Sequence, residues 1–294
     1  MREPPTGIST VFAPLTNFVW DGDEFVIEGF GTIKPCSEIS DIIRNQTSIC
    51  DPEKKQAEEV AHWLTFTQRP NDALVPRERV NIFLLALWLA IPTKTNVRVR
   101  FEFQNGSAEP LVTCHHDRFH WTRGHPADRL ETTHLEQAGS HVPSLRSVYL
   151  ANKRLRNALH LTFAGCISIH WQVAYICYSA AAESMLAYAK DRIGHRLSLA
   201  FACLTKREKE ERDAAYREFL RLYYVRSDIM HGRAADRTDY YKSQWELAKL
   251  TDALRELWEA VLASPDALEE LERDDDYRRE FFEHLQQGYR PPGQ

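Results

Sequence analysis

The sequence has few of the features that mark secreted or membrane proteins. Its six cysteines are scattered and include no Cys-x-x-Cys pair, which indicates reduced thiols and excludes a disulfide framework as the basis of the fold. The first residues, MREPPTG, lack the basic and apolar regions of a secretory leader. The longest apolar run, residues 80–91, is interrupted by Asn81 and is too short to cross a bilayer. We therefore expect a cytoplasmic protein with no membrane partner.

The chain also lacks internal repeats, low-complexity stretches and a broad excess of positive charge. Its net charge is −5, and the segment from Ser264 to the end accounts for all of it, with nine acidic and four basic residues. Residues 205–237 carry nine lysines and arginines against seven acidic residues. This balance permits a local basic site and excludes the broad cationic surface that avid, sequence-independent nucleic-acid binding requires.

Length and composition predict two compact domains of ordinary globular character. The 294 residues are 43% hydrophobic and 27% charged. The predicted fold class is α+β: a mixed strand and helix domain over residues 1–140, an all-helical bundle over 141–263, and an acidic tail over 264–294. The first domain is expected to act as a sensor or to position a substrate.

Strand and helix patterns alternate in the first 140 residues. Two predicted strands, 9–20 and 24–33, flank the turn sequence Asp21-Gly22-Asp23 and together predict a β-hairpin. The later elements predicted for this part are a helix with Asp51 as its cap and Pro52 at its first position, a buried helix over 79–90 ended by Pro92, a half-buried strand over 97–103, and a returning partner strand within 111–121.

Helical periodicity dominates after residue 140, and no proline occurs between Pro143 and Pro265. The predicted helices cover 144–163, 168–190, 195–204, 207–231 and 240–262. Two of them carry wide apolar stripes, formed by Trp171, Tyr175, Tyr178, Ala182, Met185 and Ala189 in one and by Leu247, Leu250, Leu254, Leu257 and Val261 in the other. Such faces must be buried against one another, which predicts a bundle. We expect Phe281, Phe282 and Tyr289 to dock the tail back onto it.

The predicted helix 207–231 contains a charged residue in an apolar stripe. The stripe consists of Ala215, Phe219, Leu222, Arg226 and Ile229. A buried guanidinium without a partner is costly, so Arg226 is expected to meet an anion. His231 follows just before Gly232, a residue that commonly ends a helix in the left-handed conformation. The helix dipole there favours a protonated imidazole, which Asp228 could orient. Ser227 shares the helix face that carries Tyr223 and His231.

An arginine and a histidine placed together suit the cleavage of RNA without a metal ion. The histidine can accept the proton of the 2′-hydroxyl or donate one to the leaving oxygen, and the arginine can stabilise charge on the phosphorane. On an ideal helix positions 226 and 231 point about 140° apart. They converge only if the helix unwinds before Gly232 or if a second copy of the chain contributes its own pair.

The spacing Arg-x4-His is not specific by itself, because it also occurs at Arg129/His134 and Arg279/His284. Its context at Arg226 is more specific. The stretch LYYVRSDIMHG, residues 222–232, resembles the signature LY-x-x-RS-x-I-x-HG of Apea-like HEPN domains. The resemblance covers residues 145–262, including a first helix rich in Arg, Ala and Leu and a second with Glu183 in its middle. It does not cover residues 1–140.

The resemblance implies a bundle of four to five helices that pairs with a second copy. Many HEPN proteins are metal-independent endoribonucleases of toxin, antiviral-defence or RNA-processing systems. By the resemblance, Arg226 would bind phosphate, His231 would be the acid/base, and Glu183 would partner Arg226, with no cofactor or metal. We further expect Arg233 and Arg237 to contact phosphate and Tyr224 to stack on bases, and a trigger or antitoxin protein is a further expected partner.

Three alternatives stand beside this hypothesis. The domain could be a non-catalytic HEPN module that binds nucleotide, RNA or protein and acts as a dimerisation scaffold. Arg226 and Glu183 could form a purely structural salt bridge, with His231 capping the helix. Finally, Cys114, His116, His120 and His125 could bind zinc, although they form one loose cluster without a second ligand pair, which favours a surface or RNA-contacting loop.

Overall fold

The computed structural model describes residues 7–35, 43, 49–105, 110–114, 129–188, 191–233, 240–287, 289 and 291. The chain divides into two compact units, the first taking in the described residues up to Pro143 and the second those from Ser144 onward. The first unit contains strands and helices and the second is helical, so the protein is α+β. No helix within the described ranges is long and apolar enough to cross a membrane.

An antiparallel sheet of six described strands forms the centre of the first unit. The strands are β1 (Ser9–Pro14), β2 (Phe25–Ile27), β3 (Gly31–Pro35), β4 (His62–Gln68), β5 (Val99–Gln104) and β6 (Leu111–Cys114), in the spatial order β2-β3-β4-β1-β5-β6. Val11 and Ala13 in β1 are fully buried. The first described strand is therefore an interior strand, paired with β4 on one side and β5 on the other.

The predicted hairpin around Asp21-Gly22-Asp23 is wrong. Strand β1 ends at Pro14 and does not pair with the following strand, whereas β2 and β3 form the hairpin with Ile27 opposite Gly31. The turn contains Gly29 at φ +64°, a conformation that favours glycine. Gly22 instead packs against the Trp20 ring, and its carbonyl oxygen lies 2.9 Å from Nε2 of His62.

Among the described residues before residue 100, two helices accompany the sheet. Helix α1 (Asp51–Glu58) has Cys50 at its N-cap rather than the predicted Asp51. Helix α2 (Pro76–Ala90) confirms the predicted buried helix and begins three residues earlier, with the Val75 amide donating to Oε2 of Glu78 at 2.9 Å. Trp63 of β4 and Phe101 of β5 pack in a common apolar cluster.

Strand β5 was expected to be half-buried, with one face in solvent, and this is wrong. Val99, Arg100, Phe101 and Glu102 are all buried, so both faces of β5 are covered. Ser9 of the neighbouring β1 donates to Glu102 at 2.9 Å, which supplies a hydrogen bond to this buried carboxylate. Pairing of β5 with the returning strand is confirmed for residues 111–114, and the remainder of that predicted strand lies outside the described residues.

Helices follow one another from residue 132 onward. They are α3 (Thr132–Ala151), α4 (Lys153–Ile167), α5 (Trp171–Leu186), α6 (Ile193–Thr205), α7 (Lys209–Met230), α8 (Tyr240–Ala263), α9 (Pro265–Glu270) and α10 (Asp275–Leu285). The single helix predicted over 144–163 is wrong, because the chain breaks at Asn152. The Asn152 side chain accepts a hydrogen bond from the Leu155 amide at 2.7 Å and caps α4.

The predicted apolar stripe of α8 is buried throughout, whereas that of α5 is buried at four of its six positions, since Trp171 is half-buried and Ala189 lies outside the described residues. Tyr175, Tyr178, Ala182 and Met185 are buried in α5, and the five predicted positions of α8 are buried as well. Trp258 of α8 donates to Oγ1 of Thr162 in α4 at 3.0 Å. The tail docks as expected, because Phe282 is fully buried and stacks on Tyr188, and Tyr289 donates to Asp213 at 2.8 Å.

Candidate functional site

The end of helix α7 presents His231 to solvent. The helix is regular through Met230, and His231 is the exposed C-cap residue. Gly232 adopts φ +72°, which confirms the predicted glycine stop. The His231 amide donates to the carbonyl oxygen of Ser227 at 3.0 Å, so Ser227 supports the end of the helix through its backbone.

Arg226 forms an ion pair with Glu183 of α5. Its Nη2 lies 3.0 Å from Oε2 of Glu183, and the two side chains are 25% and 29% exposed. The predicted pairing of these residues is confirmed. Since both side chains keep about a quarter of their surface in solvent, the pair lies at the surface of the helical unit, where a polyanion could reach it.

The predicted apolar stripe of α7 is displaced by one position at Arg226. The buried residues are Tyr216, Phe219, Leu222 and Val225, which recur every three residues. Arg226 therefore lies beside the stripe, and Val225 occupies the core position assigned to it from the sequence. This correction removes the need to bury a full charge. The two Nη atoms of Arg226 have Glu183 and Tyr223 as partners, whereas its buried Nε has no hydrogen-bond partner among the described residues.

Tyr223 packs between Arg226 and the beginning of α6. The Arg226 guanidinium lies 5.4 Å from the ring centroid, and its Nη1 donates to the Tyr223 hydroxyl at 3.5 Å. Burial raises the pKa of Tyr223, an effect that the Arg226 charge opposes. At Gly194 an added Cβ would come within 2.7 Å of Cδ1 of Tyr223, so glycine is what allows the ring to lie this close to α6.

The other predicted site residues lie around the end of α7. Asp228 accepts a hydrogen bond from Nε of Arg233 at 3.0 Å, an ion pair that holds Arg233 close to the helix end. Tyr224 is 54% exposed and presents a free aromatic surface. Arg237 lies outside the described residues. The structure thus brings Arg226, Tyr223 and Glu183 together, and separately Asp228 with Arg233.

Arg226 and His231 do not converge within one chain by unwinding of the helix. Because α7 stays helical through Met230, the two side chains leave it about 140° apart. Of the two routes by which the pair could meet, only the contribution of a second copy remains compatible with this geometry.

The first unit holds a separate cluster of two thiols and one carboxylate. Cys114 donates to Oε1 of Glu53 at 3.1 Å, and Cys50 hydrogen-bonds to the other oxygen. The hydrogen bond to Glu53 is the main reason that the pKa of Cys114 rises to about 11. His116, His120 and His125 lie outside the described residues, and among the residues that are described no three His, Cys, Asp or Glu side chains are arranged so that they could hold a metal ion.

Two features of the helical unit were not predicted from the sequence. Arg278 is fully buried and donates to the carbonyl oxygen of Met185 at 3.0 Å, although it stands in the acidic tail. Its i,i+4 relation to the buried Phe282 is the pattern that could have revealed it. Trp245 is 52% exposed, and Nζ of Lys249 lies 3.9 Å from its ring centroid. The i,i+4 spacing of these two residues is again visible in the sequence.

Comparison with known proteins identifies no relative of this chain: no protein-family model, no curated protein and no solved structure matches it.

Proposed function

We propose that the helical unit is a HEPN-type domain that binds RNA and cleaves it without a metal ion, as a toxin or antiviral-defence effector. The proposal rests on one structural observation. His231 is exposed at the glycine-terminated end of α7, and Arg226, five residues earlier, keeps a partly exposed guanidinium held by Glu183. The resemblance of residues 222–232 to the Apea-like signature supports the same assignment.

The proposed reaction is an attack of the ribose 2′-hydroxyl on the neighbouring phosphorus. His231 accepts the proton of that hydroxyl, the P–O5′ bond breaks, and the leaving oxygen takes a proton from water. The products are a 2′,3′-cyclic phosphate and a 5′-hydroxyl end. Arg226 binds the phosphate and stabilises the negative charge of the phosphorane. Glu183 holds the guanidinium in place, and the exposed Tyr224 offers a ring for a base to stack on.

The proposed active unit is a symmetric dimer. Two helix ends related by a twofold axis would bring Arg226 of one subunit to the same cleft as His231 of the other, which overcomes their separation around α7. This arrangement yields two equivalent sites per dimer, and it makes activity depend on protein concentration.

A second candidate is a non-catalytic module that binds RNA or nucleotide. The Arg226 guanidinium already pairs with Glu183 and faces the Tyr223 ring. A phosphate must therefore compete with an existing carboxylate for this arginine, which favours weaker binding without cleavage.

Incubation of the purified protein with RNA in EDTA tests the proposal. The wild type should generate 2′,3′-cyclic phosphate ends, and both Arg226→Ala and His231→Ala should lower the rate by at least about 100-fold. His284→Ala is the matched control, since Arg279 and His284 have the same spacing and His284 is exposed at the end of α10. When the Arg226→Ala and His231→Ala proteins are mixed, activity should return, because a mixed dimer has one site with an intact Arg226 from one subunit and an intact His231 from the other.

The outcomes separate the candidates. If the wild type leaves RNA intact while Arg226→Ala weakens its binding, the non-catalytic module stands. If neither substitution changes binding or cleavage, the Arg226–Glu183 pair is structural and both candidates fail. Expression of the wild type in bacteria should slow growth, and His231→Ala should relieve this effect.

A further inference from the structure

A groove lies in the helical unit between α7 and α8 and is separate from Arg226 and His231. Its volume is about 500 Å³, and α6 contributes to its base. The lining residues of α7 run from Glu211 to Leu222, which corresponds to about 16 Å, or three helical turns. On the opposite wall, the lining residues run from Lys249 to Glu256. The groove is therefore bounded by two helix faces and has the length of a short helix.

The interior of the groove is apolar, and small side chains line its walls. Phe201 and Phe219 stack at its base with ring centroids 4.4 Å apart. Three alanines, Ala214, Ala215 and Ala253, line the walls above them. Because alanine side chains do not fill the space between the two helices, the groove can accept the larger apolar side chains of another molecule.

The rim of the groove has an excess of negative charge. Its lining residues include four carboxylates, Glu211, Glu218, Asp252 and Glu256, and two lysines. Lys249 pairs with Glu218 at 2.7 Å, and Lys206 pairs with Glu256. Among the described residues, Glu211 has no hydrogen-bond or ion-pair partner, whereas the charge of Arg255 acts on Asp252 and opposes the rise in its pKa that burial causes. These two carboxylates stand on opposite walls and are exposed.

An exposed tryptophan, Trp245, lies next to Lys249 at one end of the groove. Lys249 lines the groove and also lies over the ring of Trp245, which is 52% exposed. Large exposed aromatic side chains next to an apolar depression are characteristic of protein-binding surfaces.

From these observations we infer that the groove between α7 and α8 binds a basic amphipathic helix of a partner protein. Apolar side chains of that helix, spaced i, i+3 or i+4 and i+7, enter between the alanines. Lysines or arginines at its margins pair with Glu211 and Asp252, and charge complementarity selects this partner over acidic helices. The proposal does not depend on RNA cleavage.

Titration of the full-length protein with two synthetic peptides tests the inference. The first is an amphipathic helix of about 14 residues with leucines on one face and lysines on the other, and the second replaces its lysines by glutamates. Isothermal titration calorimetry should detect binding of the lysine peptide, and the glutamate peptide should bind at least about tenfold more weakly.

Two variants localise the binding. The double variant Glu211→Gln/Asp252→Asn should weaken the lysine peptide about tenfold, and Ala253→Trp, which fills the groove, should abolish its binding. The control variant Glu269→Gln/Glu272→Gln removes the same number of charges from exposed positions of the tail and should change the affinity by less than about twofold. Thermal unfolding curves should show that the charge variants remain folded.

Failure of the lysine peptide to bind would overturn the inference. It would also be overturned if the tail control lost as much affinity as the groove variant, since that result indicates attraction by net charge alone. Equal binding of the glutamate peptide would exclude the charge selection that defines the partner.

Discussion

Arg226 of α7 and Glu183 of α5 are joined by an ion pair with 3.0 Å between Nη2 and Oε2. The pair connects two helices whose residues are far apart in the chain, and each side chain keeps about a quarter of its surface in solvent. Pairs fully exposed to water contribute little to stability, and buried pairs lose much of their Coulomb energy to desolvation. Because this ion pair is only partly exposed, we expect its contribution to the free energy of unfolding to be measurable. We do not expect the fold to depend on it.

The coupling between Arg226 and Glu183 should be about 1 kcal/mol in a double-mutant cycle of Arg226→Gln, Glu183→Gln and the double variant. Each single substitution removes the ion pair, so the double variant should be hardly less stable than either single one. Urea denaturation at neutral pH measures the four free energies of unfolding, those of the wild type and of the three variants. A coupling below about 0.2 kcal/mol would show that solvent screens the pair completely.

Arg278 should stabilise the protein, although burying its charge is unfavourable. Burial lowers the pKa of Arg278 to about 10, and its guanidinium donates to the Met185 carbonyl at the end of α5 and to Asp275 at 3.2 Å. Replacement by alanine leaves a cavity and a carbonyl without this donor, so Arg278→Ala should lower the free energy of unfolding by about 2–4 kcal/mol.

Two comparisons identify the source of that loss. Arg278→Met keeps much of the volume and should recover about half of the stability. Arg279→Ala removes the neighbouring arginine, which is 48% exposed and 3.6 Å from Asp276, and should change stability by less than about 0.5 kcal/mol. Equal losses for Arg278 and Arg279 in guanidinium denaturation would contradict the buried role of Arg278.

Glu218 should contribute stability that disappears in acid. Hydrogen bonds from Arg221, and to a lesser extent from Lys249, lower the pKa of Glu218 from 4.5 to about 2. A carboxylate whose pKa is lower in the folded state stabilises the fold above its unfolded pKa, and that contribution is lost as the pH falls from about 4.5 to about 2. Since the side chain is 38% exposed, screening reduces the effect well below what the pKa shift alone implies.

The expected difference between the wild type and Glu218→Gln is about 1 kcal/mol at pH 6. It should shrink progressively below pH 4.5 and vanish near pH 2. Urea denaturation at several pH values measures this difference, and Glu272→Gln, an exposed carboxylate of the tail, is the control. A difference independent of pH would mean that the glutamine acts through packing rather than through lost charge.

The sequence predicted those elements whose burial follows from local periodicity. Residues 79–90 are nearly all apolar, and α2 is buried at Val80 and from Ile82 to Leu89. The apolar positions of α5 and α8 recur every three or four residues and lie in the core. In each case the pattern within one segment determines which face is buried, whatever the partner.

The elements that were wrong depend on contacts distant in sequence. The pairing of β1 with β4 and β5 places Ser9 opposite Gln68 and Gln104, which no turn sequence near residue 20 specifies. Asn152 breaks a continuous helical pattern without proline or glycine, and it does so by capping the next helix from a position only 3% exposed. Local propensity does not distinguish such a break from an unbroken helix.

The candidate site was predictable in composition but not in geometry. Arg226 stood out as a charge among apolar residues, and Glu183 as an acid in the neighbouring helix. Their contact was expected from the resemblance of residues 145–262 to HEPN domains and, in the alternative interpretation, as a structural salt bridge. Val225 enters the core, and Arg226 does not. This difference is a shift of the buried face by one residue, which is smaller than the width of the apolar stripe.

The interior position of β1 has a consequence for the order in which the chain folds. Residues 9–14 leave the ribosome before either strand that pairs with them, because β4 and β5 begin 48 and 85 residues after the end of β1. Folding of this unit therefore requires closure of long loops, whereas neighbouring helices of the second unit meet across short connections. During synthesis both edges of β1 therefore stay unpaired until β4 and β5 have been made. We expect the first unit to fold slowly and to need a chaperone.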